Sequence, residues 1–255
     1  NEEKEIIHSV MLTAYYAHTL DCTVRLYNEI GLSEKAKVYE AEARSIKKAI
    51  YEVAWDKERK MFKDYPDQPV YSQHTNILAI LCDIIPIDQQ QDLLKRLLAA
   101  KDLDEYASSY FSFFLFKAME KTGLENLFLE NLGFWHQFIA MGHTTCGETG
   151  FASHDRSDSH AWSAHPSYYL LKIVGGIKPA EIGFNTIKIS PNLGDLNYLK
   201  ISMPHLKGRI KVDYKIRGNK LIANIELPEG LQGSFEYNGE SRMLNSGTNE
   251  FRVKN

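Results

Sequence analysis

The chain has 255 residues, 44% of them apolar and 25% charged, and its 30 basic and 33 acidic side chains leave a formal net charge of -3. That balance belongs to a folded globular protein of one large or two ordinary domains and argues against disorder. No apolar run approaches the roughly 20 residues that span a bilayer, and the slight negative charge gives no electrostatic reason to expect nucleic acid, so a neutral substrate is expected.

Cys22, Cys82 and Cys146 stand far apart without CxxC spacing, which argues against a disulfide framework and a structural zinc site. The N-terminus is acidic, lacks a basic n-region with a small-residue cleavage site, and reads as the middle of a helix. The chain is therefore expected to be cut from something longer. Its compartment stays open, with the periplasm and secretion both compatible.

From Glu3 to Ile30, apolar residues recur at helical spacing (Ile6, Val10, Leu20, Val24), and Gly31 supplies a stop. Ser33 then caps a second helix running to about Trp55, and the two should pair as a hairpin. A polar link from Asp56 to Gln68 leads through Ser72-Gln73-His74-Thr75-Asn76 into an apolar helix from Ile77 to Cys82. Asp88 opens another helix, and further ones are expected from about Ser109 to Lys121, Glu125 to Met141 and His160 to Val174. About seven helices with short loops and no strand between them make a bundle or helical toroid. Tyr15, Tyr16, Tyr168 and Tyr169 fall on apolar helix faces and are expected in the core.

At Gly175-Gly176 the pattern changes to short alternating segments separated by Arg217-Gly218-Asn219, Pro228-Glu229-Gly230 and Asn238-Gly239. This is the pattern of a β-sandwich, with a hairpin between Arg209–Tyr214 and Leu221–Ile225. Two domains follow: helical over 1–176, then sandwich over 177–255.

Between the two, His143 to Pro179 concentrates a carboxylate, several histidines, two aspartates and a tryptophan in a loop feeding an apolar helix. Loops on a rigid scaffold are where binding and catalysis gather. Glu148 is the candidate carboxylate, and His160 and His143 are candidate pocket histidines. Trp162 and Trp135 could offer rings for a sugar face to stack on, although core packing is the simpler role for at least one of them. His154, Asp155, Asp158 and His160 have the residue types of a metal site, but their spacing matches no helix-based ligand pair, so neither metal nor cofactor is expected. His143 and His165 flank the loop and could line the pocket, although a structural role is the simpler one for each, and His74 with Asn76 could support a site indirectly.

The ordered series of helical hairpins, Thr144-Thr145-Cys146-Gly147-Glu148, SHAWSAHPSYYLLKIVGGIKP, FNTIKISPNLGDL and GRIKVDYKI resembles the C-terminal part of glycoside hydrolase family 78, the inverting α-L-rhamnosidases. The likeness runs over nearly the whole chain. It implies a partial (α/α)6 barrel, the six-hairpin glycosidase toroid, followed by a C-terminal β-sandwich. It implies a carbohydrate substrate, Glu148 as the general base, and His160 as a residue lining the sugar subsite. This sequence departs from the family in carrying Gly147 or Cys146 where a large aromatic is usual, and in a loop between Glu148 and His160 shorter than in many relatives.

Inverting hydrolysis needs two carboxyl groups roughly 6.5 to 9.5 Å apart, one donating a proton to the leaving oxygen and one activating water on the opposite face. In the family the acid lies in an upstream barrel segment that this chain does not contain. The remainder of the barrel is thus expected from a parent chain, and this chain alone should be inactive or nearly so. Two rivals stay open: an enzyme of the same fold acting on another sugar, and a non-catalytic module whose sandwich binds glycan or braces the barrel.

Overall fold

The computed structural model describes residues 9–148 and 157–254. Contacts divide the chain into two compact units that meet in sequence at Leu124 and Glu125.

The first unit is helical. Helices α1 (Val10–Glu29) and α2 (Ser33–Ala54) form the expected hairpin. The three residues between them, Ile30 to Leu32, turn the chain back so that the two helices run antiparallel, and Tyr16 donates to Glu42 and Lys47 pairs with Asp21 at 2.7 Å across the contact. Small side chains set their approach: Ala14 and Ala17 on α1 and Ala36 and Ala43 on α2 are all buried. The cap of α2 differs from expectation. Leu32 occupies the cap position without a side-chain bond, and Ser33 is already helical. By contrast, Ser9 caps α1 through its hydroxyl.

A short hairpin of β1 (Trp55–Asp56) and β2 (Met61–Phe62) follows where no strand was expected. Its cause is local: Asp56 Oδ1 accepts the amides of Glu58 and Arg59 and closes the turn, and Phe62 is wholly buried against Trp55 and Tyr51.

Helices α3 (Gln73–Leu81), α4 (Ile87–Ala99) and α5 (Ser112–Thr122) complete the unit. The entry to α3 is a buried polar hub. Asp64 accepts the hydroxyls of Ser72 and Thr75 at 2.8 and 2.6 Å. Asn76 accepts the Phe62 amide at 2.7 Å and donates to the carbonyls of Phe62 and Ser72. His74 packs its ring 4.2 Å from that of Phe111, and burial lowers its pKa. Asn76 thus ties β2 to α3.

The second unit opens on what the sequence pattern predicts as one helix from Glu125 to Met141. The structure breaks it into two 3₁₀ turns, Glu125–Leu127 and Leu129–Asn131, and a short α6 (Gly133–Ala140). The Asn131 side chain takes the Leu127 carbonyl at 2.8 Å, competing with the helical ladder, and Gly133 is a weak helix former. The expected helix from His160 to Val174 is likewise three pieces: a 3₁₀ turn at Ala161–Ala164, α7 (Pro166–Tyr169) and a π-turn at Leu170–Val174. Pro166 lacks the amide to continue the first turn and serves as the first residue of the next. Of the four tyrosines expected in the core, only Tyr169 is buried; Tyr15, Tyr16 and Tyr168 are exposed.

The strands are β3 (Ile177–Pro179), β4 (Thr186–Ile189), β5 (Tyr198–His205), β6 (Gly208–Ile216), β7 (Lys220–Leu227), β8 (Gln232–Tyr237), β9 (Glu240–Leu244) and β10 (Gly247–Lys254). They make two four-stranded sheets, ordered β10-β7-β6-β5 and β3-β4-β8-β9, with β4 and β8 parallel. The hairpin read from the sequence is β6–β7, which pairs Val212 with Ile225. Leu221, Ala223, Ile225 and Leu227 alternate inward on β7. Between the sheets the rings of Phe235 and Phe251 stack at 5.3 Å. The Asn238-Gly239 turn has positive φ at both residues, the two-residue hairpin geometry.

Gly175 and Gly176 join the π-turn to β3. Gly176 has φ +72, and a Cβ there would lie 2.3 Å from Pro191 N.

Two stability predictions follow from these contacts. Asn76→Ala removes three buried hydrogen bonds and strands the Phe62 peptide groups, so it should destabilise the protein by about 3 kcal/mol in thermal or denaturant unfolding. Gly176→Ala combines left-handed strain with overlap and should cost more than about 3 kcal/mol, whereas Gly142→Ala, also at positive φ but in open space, should cost about 1 kcal/mol. Equal costs at the two glycines would refute the close-approach argument.

Candidate active site

The candidate site forms where residues 145–148 run alongside 157–160. The Glu148 amide donates to Ser157 O at 2.9 Å, the His160 amide to Cys146 O at 2.8 Å, and the Thr145 hydroxyl to Asp158 O at 2.6 Å. The pairing is antiparallel. It brings Glu148 and His160, twelve positions apart, to 4.0 Å between Oε2 and Nδ1. The Glu148 side chain is 13% exposed and that of His160 31%, so the carboxylate is shielded while the imidazole reaches the surface.

Trp162 extends the cluster. Its ring lies 4.1 Å from that of His160 at 47°, and it is 42% exposed. A carboxylate, an imidazole and an accessible indole face thus follow one another along the same stretch of surface. Such a set can hold a hydroxylated ring and take a proton from a water beside it.

Trp135 and His143 sit differently. Trp135, on α6, is 8% exposed and donates its indole N–H to Ser163 O at 2.7 Å, while its ring meets His165 edge-on. It anchors the 3₁₀ turn that carries Trp162. His143 stacks at 5.6 Å on Phe138, also from α6, and its Nδ1 has no hydrogen-bond partner among the described residues. Phe138 also explains Gly147. A Cβ at that position would meet the Phe138 ring at 3.1 Å, so the aromatic contributed by α6 occupies space that a side chain at 147 would need.

Phe138, Ser157 and Ser163 support the site without having been singled out from the sequence. Phe138 read as one more apolar residue of a helix. Ser163 is wholly buried within SHAWSAH, a polar residue in an apolar setting and the one signal available. Of the residues with metal-ligand chemistry, His154 and Asp155 lie outside the described residues. Asp158 is exposed, and among the described residues no three such side chains converge. Among the same residues, no helix is long and apolar enough to cross a membrane.

Residues 1–174 match the family model of the bacterial alpha-L-rhamnosidase 6 hairpin glycosidase domain, and residues 176–250 that of the bacterial alpha-L-rhamnosidase C-terminal domain. The chain is 24% identical to an alpha-L-rhamnosidase of Alteromonas sp. (strain LOR), over 89% of this chain and 26% of that protein. The crystal structure of a GH78 rhamnosidase of Bacillus sp. GL1 superposes with a TM-score of 0.79 at 26% identity, covering 90% of this chain and 26% of that one. The Streptomyces avermitilis alpha-L-rhamnosidase, solved in complex with L-rhamnose, shares the fold with the same TM-score at 20% identity, covering 96% of this chain and 27% of that one. The chain therefore spans about a quarter of the length of these relatives. With the six-hairpin match alone extending over more than half of its residues, the chain belongs to the bacterial α-L-rhamnosidases of glycoside hydrolase family 78.

Proposed function

We propose that this chain is the C-terminal part of an inverting glycoside hydrolase that removes terminal α-L-rhamnosyl residues, with Glu148 as general base. In this reading residues 1–176 belong to the catalytic barrel and 177–255 to the closing sandwich. The observation that carries it is the shielded Glu148 carboxylate facing the His160 imidazole at 4.0 Å, beside the accessible Trp162 ring, within a chain of this family.

The chemistry assigns the roles. The Glu148 carboxylate takes a proton from water as the water oxygen attacks the anomeric carbon. The glycosidic bond breaks on the opposite face, and the departing oxygen receives its proton from a carboxylic acid upstream of this chain. His160 binds a sugar hydroxyl and fixes the ring over the base, while Trp162 offers an indole face to its C–H groups. Trp135 and His143 shape the wall beneath.

In the full-length protein, Glu148→Gln should lower kcat on an aryl α-L-rhamnoside by about 10² to 10⁴-fold, the usual worth of a positioned base. His160→Ala should chiefly raise KM, and NMR of the first-formed sugar should show the inverted anomer. Unchanged turnover in the glutamine variant would sink the catalytic reading in favour of a non-catalytic module. The chain expressed alone should show no turnover above background in the same assay, since it supplies one of the two carboxyl groups. Activity near that of the whole enzyme would place the acid within these 255 residues.

A further inference from the structure

The helical unit carries a second polar concavity that plays no part in the chemistry above. It is a cleft of about 640 Å³ lined by α1, α2 and the C-terminal ends of α3 and α5, within the size range of small-molecule sites. Five cations line it, Arg25, Arg44, Lys47, Lys117 and Lys121, against three carboxylates, Asp21, Glu40 and Asp83. The carboxylates are already engaged. Lys47 pairs with Asp21 and Lys121 with Asp83, each at 2.7 Å, and Arg44 with Glu40 at 3.4 Å. Arg25 and Lys117 have no carboxylate partner among the described residues.

His18 supplies an independent observation. Its side chain lines the cleft, is 9% exposed, and its Nδ1 makes no hydrogen bond. Arg25 Nη2 donates to Cys22 Sγ at 3.3 Å, and that sulfur lies 3.9 Å from His18 Nε2. In the tautomer where the Cys22 S–H donates to Nε2, the ring proton lies on Nδ1 as a donor lacking an acceptor. Burial lowers the His18 pKa, and Lys117, Arg25 and Lys121 lower it further against the opposing charge of Asp21. The ring therefore sits in a positive field.

We propose that this cleft binds the oxyanion group of a small molecule, a sulfate, phosphate or carboxylate, with Arg25 and Lys117 as counter-charges and the His18 imidazole as a neutral donor. An oxyanion would complete all three at once: two uncompensated cations and one orphan N–H meet a single acceptor-rich group. The site is separate from the Glu148 loop in sequence and in chemistry. Its ligand is recognised by charge, whereas the proposed sugar subsite recognises hydroxyls and an apolar ring face.

The test is calorimetric titration of the full-length protein with sodium sulfate, phosphate and acetate at constant ionic strength, sodium chloride being the reference. Saturable binding of at least one oxyanion is expected, and the arm that binds names the group. The paired variant R25Q/K117Q should weaken it at least tenfold, while K37Q/K48Q, which removes the same charge from α2 outside the cleft, should leave it unchanged. Bound oxyanion should also raise the His18 pKa, followed by the imidazole NMR signal. Should the paired variant fold poorly, R25Q alone, at an exposed position, gives the same comparison. No saturable uptake of any oxyanion, or equal weakening by the control pair, overturns the proposal.

Discussion

The second unit turns on two glycines and a phenol. Tyr214, wholly buried in β6, donates its hydroxyl to the Gly175 carbonyl at 3.0 Å, and burial without a charged partner pushes its pKa up so that it stays a donor. Around this bond the Ser190 amide donates to Gly176 O and the Asn192 amide to Ile173 O. No side chain fits at either glycine: a Cβ on Gly175 would lie 2.8 Å from Ile201 Cδ1, and one on Gly176 would overlap the Ser190–Pro191 peptide. The π-turn that ends the segment from His160 is thus clamped on the sandwich. The strands hold the frame in which the candidate site sits.

Much of this was legible in the sequence because it rests on local chemistry. The turn residues Arg217-Gly218-Asn219 and Asn238-Gly239 predict hairpins that the structure closes, since only certain residues adopt the required φ. Alternation along β6 and β7 fixes which face is buried. The α1–α2 hairpin follows from periodicity and a stop at Gly31. The misses share a cause, which is that a competing interaction is invisible to periodicity. Asn131 captures a carbonyl and breaks a helix whose pattern is sound. Asp56 closes a turn inside what reads as an unstructured link. Tyr15 and Tyr16 lie on an apolar pattern yet are exposed in this unit, because a helix pattern names an apolar face without saying what covers it.

For the site, Glu148 and His160 were legible only through their motif context. Their proximity was not, because it depends on hydrogen bonds between residues nine or more positions apart. Trp135 shows the opposite case: its residue type suits sugar stacking, but the bond from its indole to Ser163 O and its burial commit it to holding a turn. Residue type sets what a side chain can do, and the partner already satisfied decides which of those things remains open to it.

The three bonds joining 145–148 to 157–160 also bear on how such a site tolerates change. They fix Glu148 relative to His160 from both ends of the intervening segment, so the geometry of the pair does not depend on the length of what lies between. The entropy of closing a loop grows only logarithmically, each doubling costing about 0.6 kcal/mol, which is less than one hydrogen bond of the ladder contributes. A change in the length of the intervening segment is therefore expected to leave the Glu148–His160 pair in place. The ladder, more than the segment it closes, sets the geometry of the pair.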